Sequence, residues 1–237
     1  MKKATIWVLS VLASVALFLV IVLTCFQLVA FDEGRYHKAQ QQYNLMEVTG
    51  MDKTTLQQVT HELLLYCQGR RDTLDMQFPI HGQVREVFDN REKEHMVDVQ
   101  RLFLAGYKLR TMAIAAFFLV VLLLTAVHRG RTLRALTRGW LATIAVLGVL
   151  MAALGIAMAI DFTGVFTRFH LLFFSNDLWL LDPAYEVLIQ MLPEAFFLSI
   201  AKAIVLWAAG ALAVVTAGAA TLLICARRRA RQAAAHG

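Results

Sequence analysis

Residues 4–31 read ATIWVLSVLASVALFLVIVLTCFQLVAF, which is 28 consecutive positions without a formal charge. About 20 helical residues cross a bilayer core, because each adds ~1.5 Å to a thickness of ~30 Å. Three further uncharged runs follow at residues 111–127, 139–160 and 203–226. The sequence therefore predicts an integral membrane protein, mainly α-helical, with four transmembrane helices.

The overall composition agrees with a membrane protein. Of the 237 residues, 59% are hydrophobic and 17% are charged, whereas soluble domains average ~45–50% and ~25%. Three cysteines are too few for a disulfide scaffold. The net charge of +6 does not indicate nucleic-acid binding, because the basic residues cluster at the ends of the apolar runs.

The distribution of Lys and Arg predicts the orientation in the membrane. All 17 acidic residues lie in 31–110 and 161–202. By the positive-inside rule, the ends of the runs that are rich in Lys and Arg face the cytoplasm, and so do both termini of the chain. The ten basic residues on which this rests are Lys2, Lys3, Arg129, Arg131, Arg134, Arg138, Arg227, Arg228, Arg229 and Arg231.

These observations divide the chain into eight segments, in which a small extracytoplasmic α/β domain caps the transmembrane helices. The segments are transmembrane helix 1 (1–30), the extracytoplasmic domain (31–110), transmembrane helix 2 (111–127), a basic cytoplasmic loop (128–138), transmembrane helix 3 (139–160), an interfacial aromatic extracytoplasmic segment (161–197), transmembrane helix 4 (198–226) and a basic cytoplasmic tail (227–237).

Within the extracytoplasmic domain, apolar residues at helical spacing predict an amphipathic helix from Asp52 to Gln68 that Gly69 terminates. Residues 34–49 and 73–88 have mixed patterns, for which we expect short strands or irregular loops. Asn90 is the predicted N-cap of one long helix that continues into the second span.

The segment 161–197 is rich in Phe, Trp and Tyr, which prefer the headgroup depth of a membrane. We therefore expect it to lie in the membrane interface. Two pairs are typical of helix starts because proline is favoured in the first turn of a helix. They are Asp182-Pro183, in which Asp182 is the predicted N-cap, and Leu192-Pro193, which is predicted to start the fourth span.

Two histidines stand out as candidate functional residues. His95 precedes Asp98 by one helical turn, so the carboxylate is close enough to orient the imidazole. At helical spacing, His170 has Phe166, Phe173 and Phe174 as neighbours, so its polar imidazole lies on an aromatic face. Such a placement costs free energy unless the imidazole has a hydrogen-bond partner. The simpler interpretations are a solvated helix face for His95 and an interfacial histidine bonded to a headgroup or to the backbone for His170.

Other catalytic signatures are absent from the sequence. It contains no Gly-x-Ser-x-Gly, His-Glu-x-x-His or P-loop pattern. A metal site formed by His95, Asp98 and His170 lacks closely spaced ligand pairs, and we predict neither a metal nor a cofactor. Asp177, Trp179 and Asp182 follow His170 closely enough to cluster near it.

Three stretches of the chain resemble the bacterial lipoprotein intramolecular transacylases, the Lit family. They are residues 94–99 (EHMVDV), 169–183 (FHLLFFSNDLWLLDP) and 192–197 (LPEAFF). Residues 65–69 (LYCQG) are similar to a weaker motif of the family, with Cys67 where leucine is expected. The order of the motifs and the four spans fit this resemblance along nearly the whole chain.

The resemblance implies an acyltransferase that moves an acyl chain from the sn-2 ester of a diacylglyceryl-cysteine lipoprotein to the α-amine of that cysteine, giving a lyso-form lipoprotein. It identifies His95 and His170 as the catalytic pair, with either one as the base. It implies a diacylated lipoprotein and membrane lipid as partners, and the extracytoplasmic leaflet of the bacterial cell membrane as the location. The supporting or substrate-positioning residues are Asp98, Glu94, Phe169, Phe173, Asp177 and Trp179.

Two other functions remain open from the residues alone. One is a noncatalytic membrane sensor or interaction protein, in which the histidines have no chemical role. The other is a metal-dependent membrane hydrolase, which would lose activity with a chelator. The sequence leaves undetermined the individual lipoproteins, the acyl-length preference, the oligomeric state, the regulation and the strand topology of the extracytoplasmic domain.

Overall fold

The computed structural model describes residues 3–128 and 132–235. Arg129, Arg131 and part of the predicted basic tail lie outside the described residues or side chains. The elements are α1 (Lys3–Ala30), α2 (Glu33–Gln42), α3 (Leu45–Thr49), α4 (Lys53–Cys67), β1 (Gln77–Ile80), β2 (Gln83–Glu86), α5 (Asn90–His128), α6 (Thr132–Ile160), α7 (Phe162–Phe173), α8 (Val187–Met191) and α9 (Glu194–Ala235).

Four helices of the described chain are long and apolar enough to cross a membrane, which confirms the number of predicted spans. They are α1, α5, α6 and α9. Helix α1 contains all of its uncharged run except Phe31, and α5, α6 and α9 contain theirs completely. Helix α5 extends at its N-terminal end into more polar sequence, and α9 does so at both ends. The predicted mainly helical membrane protein is therefore confirmed at the level of fold.

The first of two compact units comprises the described parts of Met1–Phe26, Lys108–Ile156 and Ile204–Gly237. Its small core contains Phe18, Trp140 and Leu212, and the Trp140 indole donates to the Thr216 hydroxyl at 3.0 Å. At Gly139 a Cβ would lie 2.7 Å from the Ser10 backbone, so α1 and α6 approach closely there.

The second unit, Gln27–Tyr107 and Ala157–Ala203, contains the larger core. The predicted helix over 52–68 is confirmed as α4. The Asp52 carboxylate accepts from the Thr55 amide at 2.8 Å and so caps its N-terminus. The fully buried core residues, contributed by α4 and by the segments that pack on it, are Leu56, Val59, Leu63, Ile80 and Phe88.

Residues 73–88 contain the expected short strands, whereas the expectation of short strands or irregular loops for 34–49 is wrong. Strands β1 and β2 pair antiparallel, with Gln77 opposite Glu86. His81 and Gly82 both have positive φ, 51° and 76°, as a two-residue turn of type I′ requires. The sheet of the described residues has only these two strands, whereas 34–49 forms α2 and α3.

Two predicted helix starts need correction. The cap of α5 is Asp89, not Asn90, because the Asp89 carboxylate accepts from the Glu92 amide at 2.8 Å and Glu92 accepts from the Asp89 amide at 2.7 Å. Asp182-Pro183 opens a turn, and α8 begins only at Val187. Pro193 immediately precedes α9, as predicted.

Candidate active site

The two candidate histidines lie on different helices of the second unit and meet there. His95 is on α5, and His170 is near the end of α7, whose N-terminus is capped by the Asp161 carboxylate through the Gly164 amide at 2.8 Å. The centroids of the two imidazole rings are 6.2 Å apart. The fold therefore converts two positions distant in sequence into a pair.

Aromatic rings surround His170. Phe166 lies 4.3 Å away and Trp179 stacks at 4.8 Å with an interplanar angle of 28°. Phe169 and Phe174 lie at 5.4 Å and 5.5 Å. This confirms the predicted Phe166 and Phe174 neighbours, and it leaves the imidazole only 7% exposed.

A backbone hydrogen bond fixes the orientation and tautomer of His170. Its Nδ1 lies 2.7 Å from the Phe166 carbonyl oxygen, which can only accept, so Nδ1 carries the hydrogen. In the neutral ring the lone pair is then on Nε2. Burial lowers the pKa of His170 below its ordinary 6.5, and the hydrogen bond to Phe166 opposes that shift.

His95 is equally buried, with 6% of its surface exposed. Its ring packs edge-on against Phe174 at 5.3 Å. Within the described part of the chain its Nδ1 has no hydrogen-bond partner. A buried, unpartnered ring nitrogen costs free energy in the resting protein, which is a common property of groups that bind or react.

Asp98 was expected to orient His95, but its carboxylate has other hydrogen-bond partners. One carboxylate oxygen pairs with the Arg101 guanidinium at 3.2 Å, and the other accepts from the Asn176 side-chain amide at 2.8 Å. Asp98 thus joins α5 to residues 174–186, here called the connecting segment, which links α7 to α8. Glu94, the other acid predicted near His95, has an exposed side chain on α5.

The connecting segment also carries the predicted Trp179 and Asp177. The Trp179 indole donates to the Asn176 carbonyl at 3.0 Å, which holds the ring over His170. Arg91 donates to the Asp177 carbonyl at 2.5 Å, while the Asp177 side chain itself is 78% exposed. Trp179 therefore contacts His170 directly, whereas Asp177 binds Arg91 through its backbone carbonyl and also through its exposed carboxylate at 4.0 Å.

The predicted Phe169 and Phe173 form part of an apolar surface on α7. Their rings lie 4.9 Å apart. Phe173 is 50% exposed, and the adjacent Leu171 and Leu172 are more exposed still. Phe169 also forms a ring pair with His170. The other predicted neighbour, Phe173, pairs with Phe169.

An open cavity of about 520 Å³ lies beside the pair. Its polar lining comes from Asp98, Arg101, Ser175 and Asn176. Its apolar lining includes Phe174, which contacts both imidazoles. Among the described residues, no group of three or more His, Cys, Asp or Glu is placed to hold a metal ion.

The sequence did not indicate the roles of Arg91 and Asn176, which join α5 to the connecting segment. Arg91 on α5 donates to Asp177, and Asn176 on the connecting segment donates to Asp98 on α5. Asn176 lies within the 169–183 motif, but its partner Asp98 is far away in sequence. Arg91 is one helical turn before His95, in a run of mixed charge that reads equally well as a solvated helix face. Their roles follow only from the three-dimensional contacts.

Chemically, two buried imidazoles from different helices bring two proton-transfer groups into one site. Each neutral ring has one nitrogen that accepts a proton and one that donates. Cys67, by contrast, is unsuited to be a nucleophile, because burial raises the pKa of its thiol to about 12. Fold and site together define a mainly helical membrane protein with a buried pair of imidazoles beside an apolar surface.

Comparison with known proteins identifies this class more closely. Residues 11–197 match the family described as lipoprotein intramolecular transacylase Lit, so the chain belongs to that family of acyltransferases. Among curated proteins, no sequence match was found.

Solved structures share the fold. The membrane integral lipoprotein intramolecular transacylase Lit from Bacillus cereus has a TM-score of 0.75 and 23% identity, with 96% of this chain and 100% of that chain covered. A variant of the same protein with one histidine replaced by arginine has a TM-score of 0.72, 22% identity and 95% coverage of each chain. A variant with alanine at a histidine has a TM-score of 0.70 and 21% identity, covering 95% of this chain and 96% of that one.

Proposed function

We propose that this protein moves the acyl chain at the sn-2 ester of a diacylglyceryl-cysteine lipoprotein to the α-amine of the same cysteine, with His95 and His170 as acid and base. The observation that carries the proposal is the 6.2 Å separation of two buried rings that come from different helices. The reaction must remove a proton from nitrogen and supply one to oxygen, and a pair of imidazoles does both.

His170 is the proposed base. Its Nδ1–H is committed to the Phe166 carbonyl, so Nε2 presents the lone pair. Its lowered pKa keeps the ring neutral near pH 7. An α-amine with an ordinary pKa of ~7.7–8.0 exists partly as the neutral nucleophile at that pH, and the neutral imidazole accepts the proton that its nitrogen loses on attacking the ester.

His95 is the proposed acid. The amine nitrogen attacks the ester carbonyl carbon, the new N–C bond forms, and the bond from that carbon to the sn-2 oxygen breaks. The proton lost by nitrogen goes to His170, and His95 gives one to the departing alkoxide. A proton then passes back between the rings or through water, so that the net change is one N–H exchanged for one O–H.

Holding the amine and the ester of the substrate in a reactive geometry accounts for much of the proposed catalysis. General acid–base help is typically worth ~10²–10⁴ in rate. The amine and the ester belong to one molecule, and restricting their geometry contributes up to ~7–11 kcal/mol in favourable cases. A site that chiefly holds the lipidated cysteine in one conformation therefore needs neither a serine nucleophile nor a cofactor.

The two acyl chains are proposed to enter from the membrane along α7. The support is its exposed apolar surface, in which Leu172 is 76% and Phe173 is 50% exposed. Such a surface is costly in water and favourable in lipid. Phe169, which is part exposed and also contacts His170, would guide the reacting chain to the pair.

We assign the predicted extracytoplasmic domain, residues 31–110, and the interfacial aromatic segment, residues 161–197, to the extracytoplasmic side of a bacterial cell membrane and both termini to the cytoplasm. The remaining predicted segments are transmembrane helices 1–30, 111–127, 139–160 and 198–226, the basic loop 128–138 and the tail 227–237. Support comes from the Lys and Arg distribution, because basic residues favour the cytoplasmic side.

Replacing either histidine with alanine tests the proposal. We expect His95→Ala and His170→Ala to insert and fold but to form no lyso-form lipoprotein, as measured by mass spectrometry of lipoprotein N-termini from cells with each variant. His61→Ala is the matched control, since His61 is exposed and pairs with Glu33. Full product formation by either site variant would overturn the assignment.

A further inference from the structure

The open cavity of about 520 Å³ beside the histidines has polar lining groups that no step of the proposed acyl transfer uses. One acidic and one basic side chain, Asp98 and Arg101, line it together with the Ser175 hydroxyl and the Asn176 amide. Leu102 and Phe173 supply the apolar part. Volumes of ~300–1,000 Å³ with a few convergent polar groups are typical of small-ligand sites.

We propose that this cavity is a subsite for a primary ammonium group, bound by the Asp98 carboxylate, and that its ligand is the free N-terminus of the lipidated substrate. The inference rests on the proposed function, which supplies a substrate with a free α-amine. Arg101 and Asn176 then donate to the first peptide carbonyls, because those side chains carry the remaining N–H groups of the lining.

Asp98 is held in place and still has capacity for a ligand. Its bond from Asn176, at 2.8 Å, anchors the carboxylate to the connecting segment. Its other partner, Arg101, is 75% exposed, and such surface ion pairs contribute little and rearrange easily. A carboxylate accepts about four hydrogen bonds, so an ammonium binds without breaking the bond from Asn176.

The position of the cavity suits a nucleophile that waits beside the catalytic pair. Asp98 is one turn after His95 on α5, so the two side chains are neighbours on the helix surface. Phe174 lines the cavity and touches both imidazoles, at 5.3 Å from His95 and 5.5 Å from His170. An amine released from Asp98 therefore has a short path to either ring.

A primary ammonium next to two acyl chains also occurs in phosphatidylethanolamine, so the test must separate the two sources. The probes are a diacylated cysteinyl peptide with ether-linked chains and a free N-terminus, the same peptide with an acetylated N-terminus, and phosphatidylethanolamine as competitor. Ether links cannot undergo acyl transfer, so binding is measured independently of catalysis, in nanodiscs of phosphatidylglycerol that contain the full chain.

For the unaltered protein we expect the free-amine probe to bind about tenfold more tightly than the acetylated one, as a charge-assisted hydrogen bond permits. Asp98→Asn keeps the shape and the bond from Asn176, and we expect it to abolish this preference while binding the acetylated probe normally. Asp72→Asn, which alters an exposed carboxylate of the same unit, keeps the preference.

A preference for the free amine that persists in Asp98→Asn would overturn the subsite, and so would its absence from the unaltered protein. Competition by phosphatidylethanolamine as strong as that of the free-amine probe would overturn the assignment to a peptide N-terminus. Failure of the acyl-transfer proposal is distinguishable, because it would show as no lyso-form product from the unaltered protein, or as product from the histidine variants, and would leave these binding ratios unchanged.

Discussion

His170 is a titratable side chain whose protonation is controlled by apolar contacts. The rings of Phe166, Phe174 and Trp179 keep water from it, and its Nδ1 donates to a backbone carbonyl. Removal of water disfavours the charged form of an imidazole, which is why its pKa is lowered. The neutral form therefore persists below the ordinary pKa, where a solvated histidine would be protonated.

The pH dependence of the reaction follows from this environment. Because the proposed base, His170, must be neutral, we expect its own contribution to the acid limb of kcat/KM to lie below pH 6.5, beneath that of the substrate amine at ~7.7–8.0. Trp179→Ala admits water to His170, raises its pKa towards 6.5 and moves the limb upward, so that activity falls more at pH 6 than at pH 8. The measurement is the rate of lyso-form production by purified protein across this range.

Trp207→Ala is the control for this experiment, because it removes an exposed tryptophan from α9. Its acid limb should coincide with that of the unaltered enzyme. An unchanged limb in Trp179→Ala, in protein that remains folded, would show that the stacked indole does not set the protonation of the base.

At the scale of single residues, local spacing predicted some contacts and not others. Phe166 and Phe174 were predicted beside His170 because both are one turn away on a helical pattern. Asp98 was expected to orient His95 for the same reason, but its carboxylate bonds to Arg101 and Asn176. Helical spacing shows which residues share a face, whereas a partner supplied by another element follows only from tertiary structure.

Among the elements, α5 fixes the connecting segment from both sides of His95. Arg91, one turn before the histidine, donates to the Asp177 carbonyl at 2.5 Å, and Asp98, one turn after it, accepts from Asn176 at 2.8 Å. The buried Glu92 carboxylate accepts from the Leu188 amide of α8 at 2.6 Å. The helix that carries one imidazole therefore positions the segment whose Trp179 covers the other.

Arg91→Met tests this element-level contact. We expect it to lower kcat/KM roughly tenfold to a hundredfold, because a hydrogen bond from a charged donor contributes ~1.5–3 kcal/mol. The kcat/KM of Arg91→Lys should lie between those of the unaltered enzyme and Arg91→Met, since lysine keeps the charge and loses the planar donor geometry. The readout is the kinetics of acyl transfer, together with Trp fluorescence to report displacement of Trp179.

The exposed Arg70 provides the matched control, and Arg70→Met should retain normal kinetics. If Arg91→Met also retained them, the connecting segment would be held adequately without this guanidinium, and its proposed positioning role would be wrong.

The expectation of short strands or irregular loops for 34–49 is wrong because local sequence patterns carry no information on tertiary contacts. The segment has no clear apolar periodicity, so its helices depend on caps and packing. The Asp32 carboxylate accepts from the Gly34 amide at 3.1 Å, and the buried Gln40 amide donates to Thr60 of α4 at 2.9 Å. Asn44 and Gly50, both with positive φ, end the two short helices. Propensity is a weak guide where tertiary contacts decide.

For the molecule as a whole, the four membrane helices were predictable because their apolar character is a requirement of lipid and not of any particular contact. Each uncharged run therefore identifies its helix without knowledge of its neighbours. The meeting of His95 and His170 is a property of the folded second unit. From the sequence alone it rested on the family resemblance.

Cysteine labelling tests the proposed orientation of the chain in the membrane, with residues 31–110 outside and both termini in the cytoplasm. Val84 on β2 is 69% exposed, and Gln232 on α9 has an exposed side chain. In a Cys225→Ser background, which removes the exposed native thiol, we expect Val84→Cys to react with a membrane-impermeant maleimide in intact cells. Gln232→Cys should react only after permeabilisation, because the basic residues around it favour the cytoplasm. The reverse pattern would place the histidine pair on the cytoplasmic side, where a lipoprotein N-terminus exposed at the outer leaflet could not reach it.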